Sequence, residues 1–264
     1  MSNILCMSIL STMEADASSS IFEWVVFLAY KYWDLFVEGT KVTLYVAIIG
    51  TIVGFVLGFL IGVIQNIKLS PEDNIVKKIV VSVLKAIVLV YVEVFRDTPM
   101  IVQAMIIYYG LRSAEIEIGA IPAGVLVTVL NTGAYMAETV RAGINSVDAG
   151  QEEGGLAMGM SPLMVMTNVI LPQAFMNIIP EMGNTFLTNL KMTSVLNVIG
   201  VTELFLMAKT AGGTYYKYFE SYLVIAVVYL VLCFIFNRLL LLLEKKMKGK
   251  SDYALATEFM ETAD

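Results

Sequence analysis

Any chemistry in this 264-residue chain has to come from a few charged side chains set among apolar ones. Glu93, Arg96 and Asp97 lie together in one apolar stretch, Glu138 in a second and Lys191 in a third. A charge inside lipid is costly, so ionisable groups in such stretches face a partner or a wet pathway and mark functional sites. On a helix, Asn131, Tyr135 and Glu138 share one face. Pro99 follows Arg96 and Asp97 closely; it removes a backbone hydrogen bond and invites a kink or local unwinding. Broken helices of that kind tend to mark solute sites. The competing reading is structural: these charges pair with one another and fix packing, or lie near the membrane surface.

Other chemistries are excluded by what is missing. There is no His, the commonest general base and metal ligand. Cys6 and Cys233 are far apart, which argues against a disulfide framework or a zinc site. Gly249-Lys250-Ser251 has the ending of a phosphate loop, but Glu244 stands where the first Gly is needed and no strand precedes it. No ATP hydrolysis and no bound cofactor are expected of this chain. A net charge of −6 argues against a nucleic-acid partner.

The elements that position these groups follow from hydropathy. Hydrophobic residues make up 58% and charged residues 15% of the chain, with a mean hydropathy of +0.78. Soluble domains carry roughly 45–50% apolar and about 25% charged residues. The composition predicts one all-α domain with the lipid bilayer as part of its solvent. Spans are expected over Val42–Ile64, Ile79–Gly110, Ile121–Ala142, Met176–Ile199 and Ser221–Leu243. The first carries Gly50, Gly54, Gly58 and Gly62 at a spacing of four, a small-residue face that admits another helix backbone.

Before these spans, residues 1–20 read as a disordered tail, acidic and Ser-rich, without the positive region of a secretory signal. Residues 21–36 mix Trp24, Tyr30, Tyr32 and Trp33 with Glu23, Lys31 and Asp34. They read as an amphipathic interfacial helix, with a sixth span as the alternative. The permeation domain is expected over 37–243 and a polar tail over 244–264. Lys68, Lys77, Lys78 and Lys85 follow the first span, and Arg238, Lys245, Lys246, Lys248 and Lys250 flank the end of the fifth. Positive-inside bias then puts the C-terminus and the loop 143–172 in the cytoplasm of a multi-pass cell-membrane protein, and the N-terminus outside.

That loop is unusual. It reads from Gly150 through Glu153, Gly154, Gly155, Leu156, Met158, Gly159 and Met160 to Ser161-Pro162. Cytoplasmic loops are normally polar, but this one offers Leu156, Met158, Met160, Leu163, Met164 and Met166. Its spacing predicts a short helix, a break at Gly159 and a second short helix. Exposed apolar helices with adaptable Met side chains suit docking in a groove on another protein.

The loop resembles the EAA loop of ABC importer permeases, in which Glu-Ala-Ala is followed by three residues, a Gly, and later Ile-Leu-Pro. Glu153 matches the Glu, Gly159 the Gly, and Ile170-Leu171-Pro172 the ending. Gly154 and Gly155 replace the two Ala, at about 1 kcal/mol of helix stability each. The helix is therefore expected to be looser than in relatives, or to begin later. Phe95-Arg96-Asp97-Thr98-Pro99, Gln103 and Tyr108-Tyr109-Gly110 are similar to a pattern of the polar amino-acid subfamily. So are Asn131-Thr132-Gly133-Ala134-Tyr135 with Glu138, and Gly183-Asn184-Thr185-Phe186. Lys191-Met192-Thr193-Ser194 resembles Lys-Asp-Thr-Ser, with Met192 in place of the Asp.

The resemblance implies the five-helix permease core of a type I ABC importer. It implies a second permease subunit, same or different, and ATPase subunits that bind ATP and Mg and seat the loop. An extracytoplasmic solute-binding protein is implied as well; only a short segment precedes the first span, so that receptor is expected on another chain. The cargo it implies is a polar amino acid. Such a zwitterion needs a cation for its carboxylate, for which Arg96 and Lys191 are candidates, and an acceptor for its ammonium, for which Asp97 and Glu138 are candidates. Thr98, Gln103, Asn131 and Tyr135 join the candidate path, as do Asn184, Thr193 and Ser194. The alternatives are a self-sufficient secondary transporter or channel, and a membrane enzyme. The chain shows no convincing internal repeat to support the first, and the lack of His and of clustered ligands weighs against the second.

Overall fold

The structure, a computed structural model, describes residues 19–248. The expectations for residues 1–18, and for the segment beyond Lys248 with its phosphate-loop ending, fall outside that range. Among the described residues all regular structure is helical.

Helix α1 (Ile21–Lys31) starts with a reciprocal cap: the Ser20 amide donates to the Glu23 carboxylate (2.7 Å) and the Glu23 amide to the Ser20 hydroxyl (3.3 Å). The helix expected over 21–36 stops at Lys31, because Tyr32 leaves helical geometry. Trp33–Phe36 instead open α2 (Trp33–Gln65), which is longer than the span expected from Val42. Helix α1 buries Trp24 and Leu28 against Leu204, Ala208, Val224 and Ile225.

Helices α2 and α5 (Ala120–Asn145) form the centre of the fold. Gly50 meets Thr128, Gly54 meets Thr132, Gly58 meets Met136 and Gly62 meets Val140. Each step of four on one helix is matched by four on the other, so the two run parallel. A methyl group at Gly58 would lie 2.6 Å from the Gly133 carbonyl oxygen and 2.8 Å from the Ala137 nitrogen. In lipid, where apolar burial drives little, such backbone approach supplies the packing energy.

The stretch expected as one kinked span over 79–110 is two helices, α3 (Ile75–Asp97) and α4 (Met100–Ser113), separated at Thr98-Pro99. Asn74 caps α3 at the Val76 amide, which sets its start earlier than Ile79. The loop after α5 holds α6 (Ala149–Ala157), α7 (Pro162–Val165) and one π-helical turn, Met166–Ile170. It leads into α8 (Leu171–Met192) and a 3₁₀ segment, Thr193–Ile199. Helices α9 (Leu204–Tyr215) and α10 (Tyr218–Lys248) follow, so Glu244–Lys248 extend the last helix rather than beginning a tail.

Among the described residues four segments are long and apolar enough to cross a membrane: Trp33–Gln65, Ala120–Asn145, Pro162–Ile199 and Tyr218–Met247. Helix α3 rises about 35 Å at 1.5 Å per residue, long enough to cross, but Lys85, Glu93 and Arg96 set it apart from these four in composition. Gly183 of α8 meets Leu240 of α10 while Phe186 meets Phe236, so α10 runs antiparallel to α8. The end of α10, the α2–α3 turn and the α6–α7 loop therefore share one end of the bundle. There Lys68 pairs with Glu152 at 2.5 Å.

Candidate functional site

Pro99 lacks an N–H and fixes its own backbone, so α3 ends before it and leaves its last carbonyls without helical partners. Side chains take them up. The Thr98 hydroxyl donates to the Val94 oxygen (2.6 Å). The Gln103 amide donates to the oxygens of Phe95 and Thr98, each at 2.9 Å. Asn131 donates to Phe95 O (3.2 Å) and to Gln103 Oε1 (3.1 Å), and the Tyr135 hydroxyl reaches the Arg96 oxygen (3.4 Å). The break is thus a built feature, stapled to α5 by three polar side chains.

Beside it opens a cavity of about 730 Å³. Arg96, Asp97 and Thr98 line it from the break, Asn131, Thr132 and Tyr135 from α5, and Glu181, Asn184, Thr188, Asn189 and Met192 from α8. The first residues of α4, Met100 and Ile101, also face it, and no side chain caps that helix. Uncapped amides at a helix start carry partial positive charge and attract a carboxylate. The nearly buried Asn189 amide donates to the hydroxyls of Thr51 and Thr132, both at 2.9 Å, and ties α2, α5 and α8 together at the cavity wall.

Of the path residues read from the sequence, Arg96, Asp97, Thr98, Asn131, Tyr135 and Asn184 come together here. The others do not. Gln103 is buried behind the break as a staple. Glu138 is held by Arg141 through two hydrogen bonds and faces a neighbouring cleft. Arg96 approaches Glu138 at 3.8 Å and lies over the Tyr135 ring at 5.8 Å, so the structural pairing of charges accounts for Glu138. Lys191 and Ser194 line a separate cleft with Phe205, Tyr222 and Tyr229, and Thr193 is fully buried. Each stands one position, about 100° of helix turn, from the cavity stripe that carries Met192 and Val195.

Sequence reasoning missed Glu181, Thr188 and Asn189. Their signal was present as polar residues spaced by three and four along an apolar stretch. It also missed Glu203, in the connection between the last two spans. This fully buried carboxylate caps α9 at the Phe205 and Leu206 amides, both at 2.8 Å, with the Tyr229 hydroxyl at 3.3 Å. Burial pushes it up to about 7, against the pull of the two amide bonds.

In the loop, Asp148 caps α6 at the Gly150 amide, and the helix runs unbroken through Gly154 and Gly155. Gly154 faces open space, while a methyl at Gly155 would sit 2.8 Å from Val165 Cγ2, so Gly155 lets α7 fold back onto α6. Gly159 makes that turn with φ +82°, a left-handed geometry that favours glycine. The fold-back turns Met160 and Met166 inward against Val165 and Ile170, correcting the expectation that both are exposed. Glu153, Leu156, Met158, Leu163 and Met164 remain exposed, Met158 at 85%. Among the described residues there is no cluster of His, Cys, Asp or Glu that would hold a metal ion.

Residues 79–249 match the family described as the binding-protein-dependent transport system inner membrane component. The chain belongs to that family. This inner membrane component is 41% identical over 170 residues to the probable amino-acid permease protein YxeN of Bacillus subtilis, covering 63% of this chain and 76% of that one. It is 33% identical over 216 residues to the glutamine transport system permease protein GlnP of Escherichia coli K12, covering 81% and 93%. It superposes on the crystal structure of an amino acid ABC transporter with histidines at a TM-score of 0.74 and 35% identity, covering 89% of this chain and all of that one (100%). A methionine ABC transporter, MetNI, in an inward-facing conformation shares the fold at 20% identity and a TM-score of 0.62. The permease thus has the all-helical ABC importer fold, and the broken α3–α4 span, the cavity and the apolar loop are parts of one transport subunit.

Proposed function

We propose that this permease moves polar amino acids across the cell membrane by alternating access, driven by a separate ATPase docked on the α6–α7 loop. The observation that carries the coupling is the exposed set Leu156, Met158, Leu163 and Met164, presented on a helical hairpin whose fold-back Gly155 and Gly159 allow. An apolar surface of that kind in a polar setting marks a protein contact. ATP and Mg belong to the partner subunits. A second permease subunit completes the pathway, and a solute-binding protein delivers the cargo from outside.

The cavity supports the cargo class. The α4 start and Arg96 offer positive charge to a carboxylate, and Asp97 and Glu181 offer acceptors to an ammonium group. Asn184, Thr188 and Asn189 add neutral hydrogen-bonding groups suited to a polar side chain. The basic residues Lys68, Lys77, Lys78, Arg238, Lys245 and Lys246 cluster at the loop end, which supports the reading of that end as cytoplasmic and of the N-terminus as external.

The test is reconstitution in liposomes with an ATPase and a binding protein from the same operon, assayed with labelled L-glutamine, L-arginine and L-histidine. Expected is uptake that requires ATP and all partners. Gradient-driven uptake by this chain alone, or no uptake of any of the three with all partners present, overturns the reading.

A further inference from the structure

A second cleft, of about 420 Å³, lies beside the main cavity between the end of α2, α3 and α5. Gln65, Lys85, Glu93, Arg96, Glu138 and Arg141 line it. Arg96 lines both spaces, so they meet at its side chain. Gln65 ends α2 and Arg141 stands in the last turns of α5, so the cleft lies toward the loop end of the bundle.

Lys85, Leu89, Glu93 and Arg96 fall on one face of α3 at helical spacing. The side chains of Lys85 and Glu93 make no hydrogen bond or ion pair among the described residues. Unpaired charges on a membrane-spanning face are too costly to point at lipid, so this face lines a wet space. The cleft also has capacity to spare. Arg141 uses Nε and Nη2 on Glu138, leaving donors of its five N–H groups. Gln65 Oε1 is buried with no hydrogen-bond partner. Buried acceptors of that kind are uncommon and want a donor.

We propose that this cleft is a second station for the amino acid, on the cytoplasmic side of the main cavity, entered past Arg96. Arg141 and Lys85 receive the carboxylate, and Glu93 with Gln65 Oε1 receives the ammonium group. Arg96, only loosely held by Glu138 at 3.8 Å, is the cation that hands the carboxylate from one space to the other. The proposal rests on the reading that this chain carries amino acids.

The test uses the complete complex in liposomes, with Cys6→Ser and Cys233→Ser as background. Glu93→Cys and, separately, Lys85→Cys are exposed from the loop side to a membrane-impermeant methanethiosulfonate reagent without nucleotide. Expected is labelling at both positions. Millimolar L-glutamine or L-arginine, whichever the unmodified complex imports, slows it at least about five-fold, as occupancy at a few times Kd requires. Failure to label either position, labelling that the imported amino acid does not slow, or labelling that responds only to anionic lipid content overturns the station. Absence of uptake by the unmodified complex is a different result, and defeats the amino-acid reading instead.

Discussion

The Gln103 amide nitrogen lies 2.9 Å from the Phe95 carbonyl oxygen, reaching eight residues back across the break at Pro99. Its oxygen is taken by Asn131, so one buried side chain joins α3, α4 and α5. Gln103→Leu keeps the volume and leaves the Phe95 and Thr98 oxygens short of donors. A buried group left unsatisfied costs about 1–3 kcal/mol. The variant should melt lower in detergent and lose most uptake while still inserting into the membrane. Wild-type melting would show that the staple is dispensable.

The glycine face makes a paired prediction. Gly58→Ala drives a methyl into backbone atoms of Gly133 and Ala137 that cannot rotate away. Overpacking of this kind costs about 1–3 kcal/mol. Gly110→Ala, whose added methyl meets nothing within 4 Å, should be neutral or gain up to about 1 kcal/mol from helix propensity. Melting of the two purified variants side by side checks the contrast; equal effects contradict the close α2–α5 approach.

At the loop, Met158→Ser removes an 85% exposed apolar side chain. Surface changes of that kind move stability by no more than about 0.5 kcal/mol, so folding should be unaffected. ATP-driven uptake should fall because the docking surface is lost. Gly159→Asp adds a side chain at φ +82°, straining the turn by about 1–2 kcal/mol, and should uncouple ATP hydrolysis from uptake without blocking membrane insertion. Normal uptake in both variants removes the docking assignment.

Glu203 gives a pH prediction. Its carboxyl is raised from 4.5 to about 7, so between those values the folded state holds a proton that the unfolded state has released. Stability from this group is fully present below about 4.5 and is lost as pH rises through about 7. The loss is on the order of 3 kcal/mol, because each tenfold change in proton affinity is worth about 1.4 kcal/mol. Glu203→Gln should flatten that fall, measured as the difference in melting temperature from wild type at pH 5 and pH 8. A constant difference across that range contradicts it.

The features set by spacing along one element were legible in the sequence: the glycine face of α2, the break at Pro99, and the helix–Gly159–helix loop with its family resemblance. Each depends on local geometry, namely helical period, a missing N–H and a left-handed turn. The rotation of α8 was not legible. Lys191 and Met192 are neighbours in sequence, yet Met192 lines the cavity and Lys191 faces α10, because packing of Gly183 and Phe186 against Leu240 and Phe236 fixes which way the helix faces. Likewise, Glu138 looked like a ligand for an ammonium group until the fold brought Arg96 from α3 up to it, alongside Arg141 from its own helix. The buried Glu203 became visible only once Thr43, Tyr229 and the start of α9 converged on one spot. By itself the sequence determined where the apolar stretches lie, the break at Pro99 and the helix–Gly159–helix loop. Tertiary packing decided which charges neutralise one another and which remain for a solute, since that depends on distances between helices that no spacing along the chain encodes.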